Sequence, residues 1–321
     1  MKYGNIIKTL KVYNNFKQDL VADRLSQAYL FVCEDRLTTN NLVQELASLM
    51  VCENQNDCGF CGGCKKANAG SHPDILIYPK NKSFAVADAG EIYDNVQIKP
   101  MIANKKVFVI NDVDLATEQA QNKMLKIIEE PPPNVYFLLS AKNENKVLKT
   151  ILSRVQKKYV DKINASELKN IVIADEEVKQ IALAQGDGYL GKTLEICDNK
   201  EYLKNYQDCK NIIKDLKTSG QIPSFAGFLS ANKNIFENSL YILNDFFRDI
   251  LMLKLNKKQS IKNLNLLEVF EQVEAEFSVE ALVQILKLLN LAKRKLESNV
   301  SLISLADMLL LEILEVKYLC K

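Results

Sequence analysis

Short apolar runs that alternate with amphipathic stretches constrain this chain more than any other feature of its sequence. Tyr29-Leu30-Phe31-Val32-Cys33, Ile75-Leu76-Ile77-Tyr78, Val107-Phe108-Val109-Ile110 and residues 135–139 are too short for helices and apolar at successive positions. That is the pattern of strands covered on both faces. Between them, Leu42, Val43, Leu46, Ala47, Leu49 and Met50 repeat at helical spacing, as do Ile92, Val96 and Ile98 within 88–99. A further helix is predicted over 118–130, with Ala120, Met124, Leu125, Ile127 and Ile128 on one face and Pro131-Pro132-Pro133 ending it. Residues 14–27 and 147–152 read as helices, and Lys158-Tyr159-Val160 as a fifth strand. The order predicts an α/β domain, a parallel sheet with helices on both faces.

Beyond residue 162 strand-like runs stop. Residues 165–210 read as short helices interrupted by Gly186-Asp187-Gly188 and Gly191, and longer helices follow at 239–255, 264–276, 279–298 and 301–319, after a short one at 224–230. The C-terminal part is therefore predicted to be all-helical. Its apolar stripes, Leu282, Ile285, Leu289 and Leu302, Leu305, Leu309, are expected to form mostly the domain's own core, with part available to an oligomer seam.

Composition narrows the function classes. At 321 residues, 47% apolar and 26% charged, the chain is neither disordered nor fibrous. The most apolar long stretch, 302–319, is broken by Asp307, Glu312 and Glu315, so no membrane span is expected, and no leader is legible at the start. A cytoplasmic location is the expectation. A net charge of +2 argues against a strongly electropositive nucleic-acid footprint. Only five of the 42 basic residues are Arg, so each Arg is a candidate for work that needs a planar fork.

Eight cysteines are present, and four fall within thirteen residues as Cys52-x5-Cys58-x2-Cys61-x2-Cys64. Four soft ligands separated by Gly59, Gly62 and Gly63 suit a tetrahedral metal held by tight turns. Structural zinc is the expected occupant, with an iron–sulfur cluster or four reduced thiols as alternatives. His72, the single histidine, is expected to be buried or capping rather than a ligand, and supports no catalytic relay.

The first strand–helix junction is where a phosphate-binding loop would lie. Such a loop needs glycines, a Lys for charge and a Ser or Thr for magnesium. Glu34-Asp35-Arg36-Leu37-Thr38-Thr39-Asn40-Asn41 has neither Gly nor Lys, and its two leading acids repel phosphate. Asp112 and Asp114 follow the third strand, where magnesium is often held. Without a phosphate cradle they read as helix N-terminal acids.

Several stretches together resemble the AAA+ sliding-clamp loader family of bacterial DNA polymerase III. They are residues 24–31 (Arg-Leu-Ser-Gln-Ala-Tyr-Leu-Phe), the four-Cys insert, residues 69–74 (Ala-Gly-Ser-His-Pro-Asp), Ala120-x-Asn122-x-x-Leu125-Lys126-x-x-Glu129-Glu130-Pro131-Pro132 and Ile151-Leu152-Ser153-Arg154. The resemblance is strong over about 25–160 and architectural after about 195. Motor subunits of that family carry an intact phosphate loop and a nucleotide-touching Arg in a Gly-x-x-Arg setting. Here Gly191 stands at the Arg position of Gly188-Tyr189-Leu190-Gly191, so the resemblance points to the delta-prime branch.

The resemblance implies a RecA-like AAA+ domain over 1–162 with a zinc insert at 52–64, a small helical lid over 163–212, and a helical collar over 213–321. It implies that Ser153-Arg154 corresponds to the family's Ser-Arg-Cys motif, Arg154 reaching ATP on a neighbouring subunit as an arginine finger and Ser153 supporting it. Val155 stands at the motif's usual Cys, a position that packs rather than reacts, and the loop 53–57 is shorter than the family's. The implied cofactor is structural Zn2+ on Cys52, Cys58, Cys61 and Cys64, with no ATP bound by this subunit and no ATPase of its own. The implied partners are motor and delta subunits through the collar, and a sliding clamp and primed DNA indirectly. The competing readings are an ATP-hydrolysing motor relative and a stand-alone zinc-dependent nucleic-acid binder. For the latter only Phe60, Lys65 and Lys66 lie near the insert.

Overall fold

The computed structural model describes residues 3–81, 83–296, 298 and 300–319. Five strands form one parallel sheet: β1 (Ala28–Val32), β2 (Ile75–Tyr78), β3 (Lys106–Ile110), β4 (Val135–Ala141) and β5 (Gln156–Tyr159), in the order β2-β3-β4-β1-β5. Leu30 pairs with Leu139 and Phe108 with Phe137, so the central strands bring apolar side chains side by side. Every residue of β3 is buried, as the apolar run 107–110 requires, since no face of that strand meets water, and the leading Lys106 is satisfied by donating to the Asn95 and Ile98 carbonyls.

The first strand leads through residues 33–35 into the helix Arg36–Met50, which packs on β4 and β3 and buries Leu42, Val43, Leu46 and Ala47. The strand–helix junction at 34–41, where a phosphate-binding loop would lie, is thus mostly helix. Its early start has a local cause: Asp35 accepts a hydrogen bond from the Thr38 backbone N–H at 3.1 Å and caps the first turn. The helix Glu118–Glu129 is capped by Thr117, buries Ala120, Met124, Ile127 and Ile128, and packs against the helix Val86–Val96.

Smaller departures have similar reasons. The helix expected over 14–27 is Lys11–Val21, and Asp23 beyond its end takes a left-handed φ of 52°. The fifth strand begins at Gln156 rather than 158, because an edge strand with one neighbour tolerates exposed Gln156 and Lys157 that carry no apolar signal. The helix Lys233–Lys254 starts six residues before the expected position because Asn232 caps it, accepting from the Ile235 N–H at 2.8 Å. The stretch expected as one helix over 264–276 is the helix Leu267–Val273 flanked by 3-10 turns.

The chain divides into two compact units. One runs to Leu168 and includes Gly188–Gly191; the other comprises Lys169–Asp187 and the residues from Lys192 onward. Among the described residues the second unit is entirely helical. The stretches expected as lid and collar contribute to one continuous core in it, from Ile181 and Tyr206 through Phe246 and Phe270 to Leu289 and Leu309. Leu282, Ile285, Leu289, Leu305 and Leu309 are buried in that core, while Val283, Leu291, Ile303 and Leu311 on the same two helices remain exposed. No helix is long and apolar enough to cross a membrane among the described residues.

Candidate functional site

The four cysteines converge. Cys52 follows the helix Arg36–Met50, and Cys61 caps the helix Gly62–Asn68, its Sγ accepting from the Cys64 N–H at 3.3 Å. The Sγ atoms of Cys52, Cys58, Cys61 and Cys64 all lie within 4.8 Å of one another. Zinc–sulfur bonds of about 2.3 Å in a tetrahedron place sulfurs about 3.8 Å apart. The Cys52–Cys58 and Cys52–Cys61 separations are 3.8 and 4.0 Å. Glycine is required beside them: a Cβ on Gly63 would lie 2.3 Å from the Val51 carbonyl oxygen, and Gly59 has φ +77°.

Desolvation works to raise the Cys58 thiol, but N–H donors from Cys61 and Phe60 outweigh it and bring it down to about 6. Burial pushes the Cys64 thiol up. Geometry and donor chemistry are compatible with zinc, and a tetrahedral ion held by all four thiolates would have no position open for substrate. His72 is outside this cluster. It is buried, its Nδ1 accepts from the Asp74 N–H at 3.1 Å, and desolvation lowers its pKa, so it is a neutral core residue. Asp74 in turn accepts backbone N–H bonds from Met101, Ile102 and Ala103 at 2.6, 2.8 and 2.8 Å.

The strand–helix junction is filled by the chain's own charges. The Asp35 carboxylate lies on the N-terminus of the helix Arg36–Met50, where backbone N–H groups and the helix dipole favour an anion. Its Oδ2 accepts from the Thr38 N–H, from the Thr38 hydroxyl and, at 2.8 Å, from the Gly191 N–H. The Thr39 hydroxyl donates to the Asp35 carbonyl, so both threonine hydroxyls are spent locally.

Arg36 completes the arrangement. Its Nη1 lies 2.7 Å from Asp112 Oδ1 and 3.0 Å from Asp114 Oδ1, and its Nη2 lies 2.9 Å from Asp114 Oδ2. Desolvation lowers the Arg36 pKa, but the bonds to Asp114 and Asp112 more than offset it. Asp112, at φ 54°, also accepts from Asn40, and the Asp112 N–H donates to the Ser140 hydroxyl. Asp112 and Asp114 do stand at the start of the 3-10 turn Val113–Leu115, as N-terminal acids, but Asp112 does not cap it through its side chain, and both carboxylates hold a guanidinium.

Ser153 and Arg154 follow the short helix Lys149–Leu152 on the way into β5. Arg154 is part exposed. Its Nη1 donates to the Thr150 carbonyl at 2.9 Å and to the Ser153 hydroxyl at 3.4 Å, and its Nη2 lies 2.7 Å from Glu129 Oε1. The Ser153 hydroxyl donates to the Thr150 carbonyl at 3.0 Å. Val155 is buried with the sheet core, so that position packs.

The four cysteines expected to hold a metal converge, and Arg154 donates to the Ser153 hydroxyl beside it. The clamp of Arg36 by Asp112 and Asp114, the Asp35–Gly191 bond and Glu129 beside Arg154 were not expected from the sequence. The scarcity of Arg was a signal for Arg36 and was available. The Asp35–Gly191 contact joins residues 156 positions apart, and no local pattern announces it.

Residues 8–185 match the family described as "DNA polymerase III, delta subunit", and residues 201–314 the family described as "DNA polymerase III, delta subunit, C terminal". The chain is 25% identical over 318 residues to the DNA polymerase III subunit delta' of Bacillus subtilis, covering 95% of this chain and 94% of that protein. It is 33% identical over 151 residues to the subunit delta' of Haemophilus influenzae, 46% of each chain. It is also 24% identical over 268 residues to the subunit tau/gamma of Haemophilus influenzae, covering 79% of this chain but only 37% of that protein's length.

Proposed function

Because the chain belongs to the DNA polymerase III delta-subunit family and is a clamp-loader subunit of the delta-prime kind, we propose that it acts as the loader's non-hydrolysing stator. The observation that carries this reading is the Asp35 carboxylate on the helix N-terminus, bonded to Thr38 and Gly191. A triphosphate would have to displace a resident anion tied to the chain, and residues 33–35 are too few to wrap it. The cation position beside Asp112 and Asp114 is taken by Arg36. The subunit therefore holds no ATP of its own.

Arg154 serves a neighbouring motor subunit. Its planar fork suits a γ-phosphate and stabilises charge that develops as the terminal phosphoryl group transfers. In GTPases a finger of this kind is worth on the order of 10³–10⁵ in rate. Ser153 supports it by holding one edge of the guanidinium. Structural zinc on Cys52, Cys58, Cys61 and Cys64 staples the insert. Residues 163–212 act as the lid and 213–321 as the collar that joins motor and delta subunits. The clamp and primed DNA are reached through the assembly, in the cytoplasm.

Two measurements test this. ATP binding to the isolated chain should be undetectable by calorimetry, and micromolar affinity would make the chain a motor subunit instead. Arg154→Ala should slow ATP turnover by the reconstituted loader at least tenfold, and an unchanged rate would reject the finger.

A further inference from the structure

Glu129 is the last residue of the helix Glu118–Glu129, before Pro131-Pro132-Pro133 ends helical geometry. A carboxylate there faces the negative end of the helix dipole and is favoured only with a cation beside it. The cation is Arg154, 25 residues later, whose Nη2 lies 2.7 Å from Glu129 Oε1. The guanidinium is gripped at the Thr150 carbonyl, the Ser153 hydroxyl and the Glu129 carboxylate. Among the described residues these are its acceptors. Nη1 spends both protons and Nη2 one, leaving the Nε–H and one Nη2–H for an incoming anion.

From this geometry we infer that Glu129 is a positioning residue for Arg154. It pre-orders a long side chain while leaving two donors free. The inference rests on the reading of Arg154 as a finger acting in trans. Free Arg side chains lose much rotamer freedom when fixed, and a guanidinium already held in place loses less on meeting phosphate. The pair is about a third exposed at Arg154 and half exposed at Glu129, so water and salt screen it. It orients the guanidinium without sequestering it.

The test is steady-state ATP turnover by the chain assembled with its motor partner. The variants are E129Q, E129D, R154A and the double variant E129Q/R154A. E129Q should lower kcat roughly threefold to tenfold, with KM for ATP within about twofold, as expected for lost orientation. E129D should recover part of the loss. In the R154A background E129Q should cost nothing more, because its effect passes through Arg154. An unchanged kcat in E129Q, or the same loss with Arg154 absent, would overturn the inference while leaving the finger standing. A wild-type rate in R154A would instead remove the finger reading itself, and with it any role for Glu129 as its positioner.

Discussion

The Asp35 carboxylate accepts a 2.8 Å hydrogen bond from the backbone nitrogen of Gly191, and a side chain on residue 191 would collide with it. A Cβ there would stand 2.2 Å from Asp35 Oδ1 and 2.8 Å from the Leu37 Cβ. The residue that lacks the fork and the residue that supplies a resident anion are therefore one feature. Glycine lets the backbone approach closely enough to donate to a carboxylate that already occupies the helix end.

Gly191→Ala should lower stability by about 1–3 kcal/mol, the usual range for overpacking a tight contact. Asp35→Ala should lose about 1 kcal/mol as an ordinary N-cap deletion. Urea midpoints measure both. Asp35→Ala should still show no ATP binding by calorimetry, because removing the anion does not lengthen the three-residue connection 33–35.

Arg36→Ala should be more damaging than either. It leaves Asp114, whose side chain is 1% exposed, as an unpaired buried charge, a loss on the order of 3–5 kcal/mol. Arg36→Lys keeps the charge and loses the two-pronged contact with Asp114, so its melting temperature should fall between those of wild type and Arg36→Ala.

Purified protein should contain about one zinc per chain by elemental analysis. Stripping it should expose the amides of residues 52–68 to hydrogen exchange, since binding free energies near 10 kcal/mol are typical of small structural sites. The sheet, whose core is formed by Leu30, Phe108 and Leu139, should keep its protection. Cys64→Ser should reproduce the chelated state; full zinc content in that variant would remove Cys64 from the ligand set.

Acid should loosen the segment before β3. Desolvation raises the buried Asp74 carboxyl, but N–H bonds from Ala103, Met101 and Ile102 outweigh it and set its pKa below the usual 3.8. The stability it contributes is whole above that unfolded value and is lost as pH falls through the lower folded one. Asp74→Asn should cost about 2 kcal/mol at pH 7. It should also flatten the stability curve below pH 4 relative to wild type, which thermal melts across pH 2–7 would show.

The α/β then all-helical order was legible because β1, β3 and β4 are buried on both faces and so carry runs of apolar letters, broken only by Lys106 at the start of β3 and Ser140 near the end of β4. The convergence of the cysteines was legible for a related reason: the four thiols and the turn-forming glycines lie within thirteen residues, so spacing carries the geometry. The reading of Arg154 as a finger rests on a resemblance alone, since nothing local separates it from Arg24, which is exposed beside Asp19. Tertiary structure alone decided what fills the strand–helix junction. Arg36 meets Asp112 and Asp114 across more than 70 positions, and Asp35 meets Gly191 across 156. Groups so far apart in the chain leave no periodic trace; the parallel sheet brings the C-terminal ends of β1 and β3 to the same side and so sets Arg36 beside Asp112 and Asp114, while Gly191 comes from the helix Leu190–Asp198.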